Sequence, residues 1–598
     1  METSQALADL SNKHIRIAGA SGYWGDAAHA TAQILAGADI DYLVYDYLAE
    51  ITMSILARAK AKNPNLGYAT DFITSAIAPN IEQIAKHGVK IISNAGGLNP
   101  KACAFALQVI LDKLGLDLKI AVVTGDNVLT LLKHIEKSHT HSPSPEKVLS
   151  ANAYLGAFPI AHALDDGANI VITGRCVDSA VTLGACIHEF GWRRDDWDSL
   201  AGGSLAGHLL ECGVQSTGGN FTDWQNSPEI HNIGYPIAKV GKDGHCVLTK
   251  PKGTGGQVTC ASVAEQMLYE IGDPQSYILP DVNCDFSEVR LTQTGPNLVE
   301  VRGAKGRISP PDYKVCVTYL DGFKAGNYIS FVGRNSALKA KIYHESVLKR
   351  ARLGLGALGL SDFTETSLEI LGAGSQFGAC DGTAREVVLK SAVKHDDIKG
   401  ASLFLKTLAG LGLAAPPGIS GFTGVRAKPT PVVRLYSTFM AKDKVKTFIT
   451  TNGREKTLTE NSRVQKTSTP KPHKCPAIEL SGKLVSVKLY ELAFARSGDK
   501  GDSANIGIYP HKPEFMPYIW AGLDEFHIQK TFAHFLTPDS AISRYYLPGL
   551  PAMNILLSSA LGGGGIASLR NDPQGKAFAQ ILLETEITIP VQLWKAKS

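Results

Sequence analysis

The sequence predicts an α/β protein: a large, mainly parallel α/β N-terminal domain with an α+β extension, linked to a small α/β sandwich. Three observations carry this expectation. In the first third of the chain, short apolar runs end in glycine-bearing polar clusters and alternate with helix-like stretches. Between 276 and 450, strand-like runs crowd around one long helical stretch at 337–353. Beyond a polar segment, four or five strand-like and two helix-like runs fill the last part of the chain.

The first of these patterns starts at Ile15-Arg16-Ile17-Ala18, breaks into Gly19-Ala20-Ser21-Gly22, continues as a helix to Leu35 and returns as a strand ending at Asp46. Strand, turn, helix and strand in about 30 residues make a βαβ unit. The theme recurs. Residues 89–92 end in Ser93-Asn94-Ala95-Gly96-Gly97, residues 119–123 in Thr124-Gly125-Asp126-Asn127, and residues 169–172 in Thr173-Gly174-Arg175-Cys176-Val177-Asp178. Ligands of open α/β sheets bind beyond the carboxyl ends of the strands. Ser21, Trp24, Asp26, Asp46, Asn94, Asp126, Arg175 and Asp178 are therefore expected to converge on one crevice. Asp and Asn at such positions also serve as turn formers and helix caps.

Gly19-x-x-Gly22-x-x-Gly25 after a strand, with Asp46 after the next, invites a dinucleotide reading. Tyr23-Trp24 is bulky where a pyrophosphate would approach. Residues 199–275 are glycine-rich and read as loops between short helices. Ser216-Thr217-Gly218-Gly219-Asn220 suits either an anion cradle or a close backbone approach. His208-x-x-Glu211 puts two ligand types on one helical face, but no third ligand accompanies them, and no metal is expected.

Residues 12–450 are assigned to the N-terminal domain, 451–483 to a basic linker and 484–598 to a C-terminal domain. The strand and helix content of the last unit fits a ferredoxin-like α/β sandwich. Its conspicuous stretch is Ala495-Arg496-Ser497-Gly498-Asp499-Lys500-Gly501-Asp502-Ser503-Ala504-Asn505, read as a charged loop between two strands. Arg496, Asp499, Lys500, Asp502 and Asn505 would there bind an anion or align a carboxylate, or pair with one another in solvent. Gly562-Gly563-Gly564-Gly565 costs backbone entropy, so Gly563 and Gly564 are candidate ligand contacts. Arg544, Asn554 and Arg570 are expected to join Arg496 and Lys500 in one electropositive pocket.

Together with Gly19-Ala20-Ser21-Gly22-Tyr23-Trp24-Gly25-Asp26, the 495–507 stretch resembles the acyclic terpene utilisation (AtuA-like) family. The resemblance spans about 15–450 and 484–590. It implies the two-domain architecture and a terpenoid substrate class handled as CoA thioesters. No catalytic residue comes with it.

Composition narrows the rest. The chain has 598 residues, 44% hydrophobic and 19% charged, with a formal net charge of +4, which gives no reason to expect nucleic acid or an anionic membrane as a partner. It shows no apolar run of membrane-spanning length and no signal-peptide pattern at its start. Ten cysteines are scattered singly, without a C-x-x-C pair, as in a reducing compartment, and the cytoplasm is the expected location.

No Gly-x-Ser-x-Gly elbow, His-Glu-x-x-His helix or Walker loop is present. The leading expectation is an enzyme acting on a small acyl or terpenoid substrate by lyase- or hydratase-like chemistry. Asp46, Asp126 or Asp178 would do the acid–base work, and Arg175 would hold a carbonyl or carboxylate oxygen. No cofactor is assigned, and a homo-oligomer is expected. The alternatives are a non-catalytic scaffold of an acyl-CoA-processing complex and a nucleotide-dependent oxidoreductase using residues 19–25.

Overall fold

The computed structural model describes residues 13–26, 28–134, 143–379, 382–421, 426–460, 470–478 and 482–595. Its largest element is an eleven-stranded sheet. Seven of its strands are β1 (His14–Gly19), β2 (Tyr42–Tyr45), β3 (Lys90–Ser93), β4 (Ile120–Thr124), β6 (Ile170–Thr173), β7 (Ile237–Gly241) and β8 (Cys246–Thr249), while β5 (Val148–Ala153) belongs to a second sheet. The centre runs β1-β2-β3-β6-β4 and is parallel throughout. The parallel character expected of the whole sheet is confined to this centre. β7, β8 and the hairpin 290–302 extend one side, and the hairpin 446–459 the other, all antiparallel. Short hairpins set the direction within β7–β8, 290–302 and 446–459, whereas the joins of β7 to β1 and of 446–451 to β4 pair strands far apart in sequence.

Side chains alternate across the sheet. Ile15 and Ile17 of β1 point into one core, with the helices Phe158–Asp165, Ala180–Phe190 and Trp197–Leu210. Ala18 and Ala20 point into the other, with Ala30–Gly37, Ile81–His87 and Pro100–Leu114. The helices that follow β1 and β3 thus lie on one face, and those that follow β5 and β6 on the other. Adjacent strands β3 and β6 send their chains to opposite faces, and the space beyond their carboxyl ends is where open α/β sheets place a ligand crevice.

Trp197–Leu210 corrects the loop expected around Ala201-Gly202-Gly203. Its glycines serve helix packing: a Cβ on Gly203 would meet the Trp192 ring, and one on Gly207 would meet Ser179. Expected runs at 313–319 and 328–332 prove to be one strand, Asp312–Val332. A bulge between Leu320 and Phe323 lets its first half pair with β5 and its second half with Glu386–His395. Helices Ser336–Ala357 and Ile398–Gly410 cover that second half over a core of their own, which is the expected α+β extension. Arg454–Thr459 is a strand of the first sheet inside the stretch expected as linker, and residues 461–469 and 479–481 of the remaining linker lie outside the described residues.

The C-terminal unit has a four-stranded antiparallel sheet with Ala493–Lys500, Ser503–Pro510, Ala552–Leu557 and Ile542–Leu547 in spatial order. The expected charged loop at 495–505 is therefore nearly all strand, and only Gly501-Asp502 turns. Gly498 and Gly507 lie within these strands because the other body comes close: a Cβ on either would collide with Tyr269 or Leu268, at the end of helix Cys260–Leu268. The single helix expected at 513–532 is split into Met516–Gly522 and Glu525–Phe532, where Asp524 caps the second through the His527 amide.

Candidate functional site

At the β3/β6 crevice the residues after β2, β3 and β6 meet. The Asn94 side chain reads both neighbours: its Oδ1 accepts the Tyr47 amide at 2.8 Å and its Nδ2 donates to Asp46 Oδ1. Ser21 Oγ donates to the Asp46 carbonyl at 2.9 Å. Arg175 Nη1 donates to Asp178 Oδ1 at 2.6 Å and to the Cys176 carbonyl at 3.0 Å. The guanidinium itself lies 4.1 Å from the Tyr154 ring centroid. Asp46 and Arg175 are buried, while the Asp178 side chain keeps 36% of its exposure and forms the open side of the cluster.

Two carboxyls that sequence reading did not place here share this field. Glu211 caps the end of Trp197–Leu210, and its Oε1 lies 2.8 Å from His208 Nδ1, with both side chains buried. The pair is thus internal. Glu270 follows helix Cys260–Leu268 at φ 56, a left-handed conformation that a side chain adopts only under constraint. Burial raises the Asp46 pKa well above the ordinary aspartate value, and the negative charge of Asp178 adds to the shift. Burial does the same to Glu211, again helped by Asp178 and then by Glu270. Arg175 opposes both shifts, and Lys500 opposes that of Glu211. The site is a set of carboxyls, two of them raised by burial, beside the two cations Arg175 and Lys500.

Lys500 comes from the C-terminal hairpin. Its Nζ donates to the Glu270 carbonyl at 2.8 Å and sits 5.0 Å from the Tyr277 ring, which packs 5.8 Å from the His208 ring. Burial, then the charge of Lys500, lowers the His208 pKa to about 4, so its imidazole is neutral at pH 7. Asn505 and Asn554 hold the segment that carries Glu270. Asn505 Oδ1 accepts the Glu270 amide at 2.7 Å, and the two asparagine amides donate to the Ile271 carbonyl at 2.9 and 2.6 Å.

The other expected residues do different work. Asp126 lies beside the crevice, but its Oδ2 is taken by the Arg175 amide at 2.9 Å and the Asn152 side chain at 2.8 Å. It braces the loop that presents Arg175, and burial raises its pKa to about 6. Asp26 turns away, accepting the Gly22 amide at 2.9 Å and the Tyr235 hydroxyl at 2.9 Å. Trp24 bonds Asp71. Arg496 is no anion ligand: buried, it pairs with Glu265 at 3.3 Å and donates to the Gln215 and Gly219 carbonyls at 3.1 and 2.9 Å. Those carbonyls also show that the loop 216–220 receives a cation rather than cradling an anion. Arg544 donates to the Trp520 and Leu523 carbonyls, away from Arg496, so the expected single electropositive pocket is not assembled. The charge of Asp499 acts on Tyr269. Asp502 accepts the Leu561 and Gly563 amides at 3.2 and 2.7 Å, and Gly564 packs on the Gly501 carbonyl.

A Cβ on Gly19 or Gly22 would strike the backbone of Leu210 or Cys212. The glycine pattern thus admits the 210–213 chain to the end of β1, where a dinucleotide loop would leave that space open. Among the described residues, no group of three or more His, Cys, Asp or Glu side chains is placed to hold a metal ion, and the nine described cysteines are free. No described helix is long and apolar enough to cross a membrane. A groove of about 590 Å³ between Thr222 and the C-terminal unit, lined by Phe494, His511 and Glu584, contains none of the strand-end carboxyls. The perturbed groups converge at the crevice rather than in this groove.

Residues 15–451 match the family described as acyclic terpene utilisation family protein AtuA, and residues 487–588 match the AtuA ferredoxin-like domain. The chain belongs to the acyclic terpene utilisation family. Membership supports a part in acyclic terpene utilisation, and the two matched segments correspond to the two bodies that meet at Lys500 and Glu270. Neither a curated protein nor a solved structure matches the chain.

Proposed function

We propose that the protein is an enzyme adding to, or eliminating from, the acyl chain of a small acyclic terpenoid, carried as a thioester, by lyase- or hydratase-like acid–base chemistry. The observation that carries this reading is the pairing of Asp46, whose carboxyl is shifted by burial toward its protonated form, with Asp178, whose Oδ1 accepts from Arg175 at 2.6 Å. Asp178 acts as base on a carbon acid or a water, and Asp46 supplies the proton. Arg175 orients Asp178 and puts positive charge where an enolate oxygen develops. Asp126 is a positioning residue behind Arg175. Lys500 completes the site from the ferredoxin-like domain, so that one chain provides every group. A cytoplasmic setting and a homo-oligomer belong to the same proposal.

The test is turnover by the full-length protein of a panel of acyclic enoyl thioesters, followed by loss of the conjugated thioester absorbance. Turnover that disappears in Asp178→Asn while the fold survives supports the reading. A wild-type chain that instead retains a nicotinamide dinucleotide in native mass spectrometry and reduces or oxidises the panel overturns it.

A further inference from the structure

The four-glycine stretch has a role that the carboxyl cluster does not absorb. Gly562, Gly563, Gly564 and Gly565 have φ of 65, 92, 64 and 45, a run of left-handed backbone open only to glycine. Asp502 anchors its start, and the Ala567 and Ser568 amides close back on the Gly564 carbonyl at 3.1 and 3.2 Å. Between these anchors the amides of Gly564, Gly565 and Ile566 find no acceptor among the described residues, although both glycines are buried. Buried amides are nearly always paired, so the two glycine amides, with that of the half-buried Ile566 beside them, mark a place for an acceptor.

Cations face the same loop. Lys324 Nζ lies 3.2 Å from the Ser568 carbonyl, and Lys390 donates to the Leu569 carbonyl. A Cβ on Gly563 would come within 3.3 Å of Arg434 Nη1. The acids nearby are already engaged: Asp321 with Arg434 and Lys394, Glu365 with Lys394, and Glu369 with Lys390. Among the described residues no carboxylate comes within ion-pairing reach of Lys324, which stands directly opposite Lys394 in antiparallel register. Like charges facing across a sheet destabilise it. Burial, then the charges of Lys390 and Lys394, lower the Lys324 pKa. A mere clamp between the two bodies accounts for Lys390, but not for an opposed lysine pair beside three unpaired amides.

We propose that residues 562–566, Lys324 and Arg434 form a binding subsite for a phosphate or diphosphate group carried by a small molecule. Three amides, an ammonium and a guanidinium suit a tetrahedral oxyanion with several acceptor oxygens. The subsite does not depend on the acid–base reading of the crevice.

Calorimetric titration of the full-length protein with inorganic phosphate, pyrophosphate and ADP, in chloride buffer, tests it, together with melting curves. Pyrophosphate is expected to bind one to one and to raise the melting temperature. Lys324→Met and Arg434→Gln should each weaken binding about tenfold, the usual scale of a charged hydrogen bond. Without ligand, Lys324→Met should melt no lower than wild type, because it relieves the Lys324–Lys394 repulsion. Tighter binding of ADP than of pyrophosphate assigns the subsite to a phosphate on a larger molecule, and the reverse to free diphosphate. No binding of any of the three probes, or equal binding by wild type and Lys324→Met, overturns the proposal.

Discussion

Lys500, on the C-terminal hairpin, sits 5.0 Å from the ring of Tyr277 in the N-terminal body, and the same ammonium donates to the Glu270 carbonyl. The smaller body thereby puts a positive charge beside the larger body's Glu270 and Tyr277. Lys500→Met is expected to raise the His208 pKa from about 4, because the charge of Lys500 is the second cause of its depression after burial. Histidine NMR titration of the full chain reads this directly. An unmoved His208 would show that Lys500 is electrically remote from the cluster.

Asp46→Asn should lower kcat/KM by about 10²–10⁴-fold, the usual contribution of a general acid. As the acid, Asp46 is active when protonated, so wild-type activity falls as pH rises through its raised pKa. The variant should lose this alkaline limb while its fold persists, since asparagine keeps the oxygen that Asn94 reaches. A limb unchanged in shape assigns the titration to another group.

Arg496→Ala strands the buried Glu265 carboxyl without its partner. Breaking such a pair costs about 3–5 kcal/mol. Denaturant unfolding followed by a probe in each body should show the loss. Replacing both partners with Met and Leu should recover only part, because the carbonyls of Gln215 and Gly219 still lack their donor.

Asp126 and His208 pull stability in opposite directions with pH. The folded chain keeps the Asp126 proton up to about pH 6, against an ordinary value of 3.8, so between these values it binds more protons than the unfolded chain. That contribution to stability falls as pH rises through the window. His208, lowered to about 4 from 6.5, binds more protons when unfolded, and its contribution rises with pH. Asp126→Asn removes only the falling term, so its melting temperature should climb more steeply than that of wild type from pH 4 to 6. Parallel curves would contradict the burial assigned to Asp126.

The parallel centre of the sheet was legible because its strands are short apolar runs that end at polar clusters, and Asp46, Asn94, Arg175 and Asp178 converge as those ends require. Asp26 and Asp126 were read as crevice residues because a carboxylate bracing a loop and one facing a crevice look alike in a strand-end cluster. Glu211 and Glu270 lie at helix ends far along the chain, and only the packing of Trp197–Leu210 against β1 and of the C-terminal hairpin against 269–272 brings them in. The spacing His208-x-x-Glu211 was the signal for the first, and no spacing marked Glu270. Glycine misled twice, at 201–203 and 495–507, because a glycine that admits a neighbouring body reads like one that makes a turn.

The most direct measurement is deuterium exchange into the acyl chain of acyclic terpenoid thioesters incubated with the full-length protein in heavy water. Exchange detects proton removal whatever the net reaction is. Acid–base chemistry at Asp178 and Asp46 predicts exchange by the wild type that drops by about 10² or more in Asp178→Asn and Asp46→Asn. Undiminished exchange in both variants, or none from the wild type with any substrate of the panel, contradicts it.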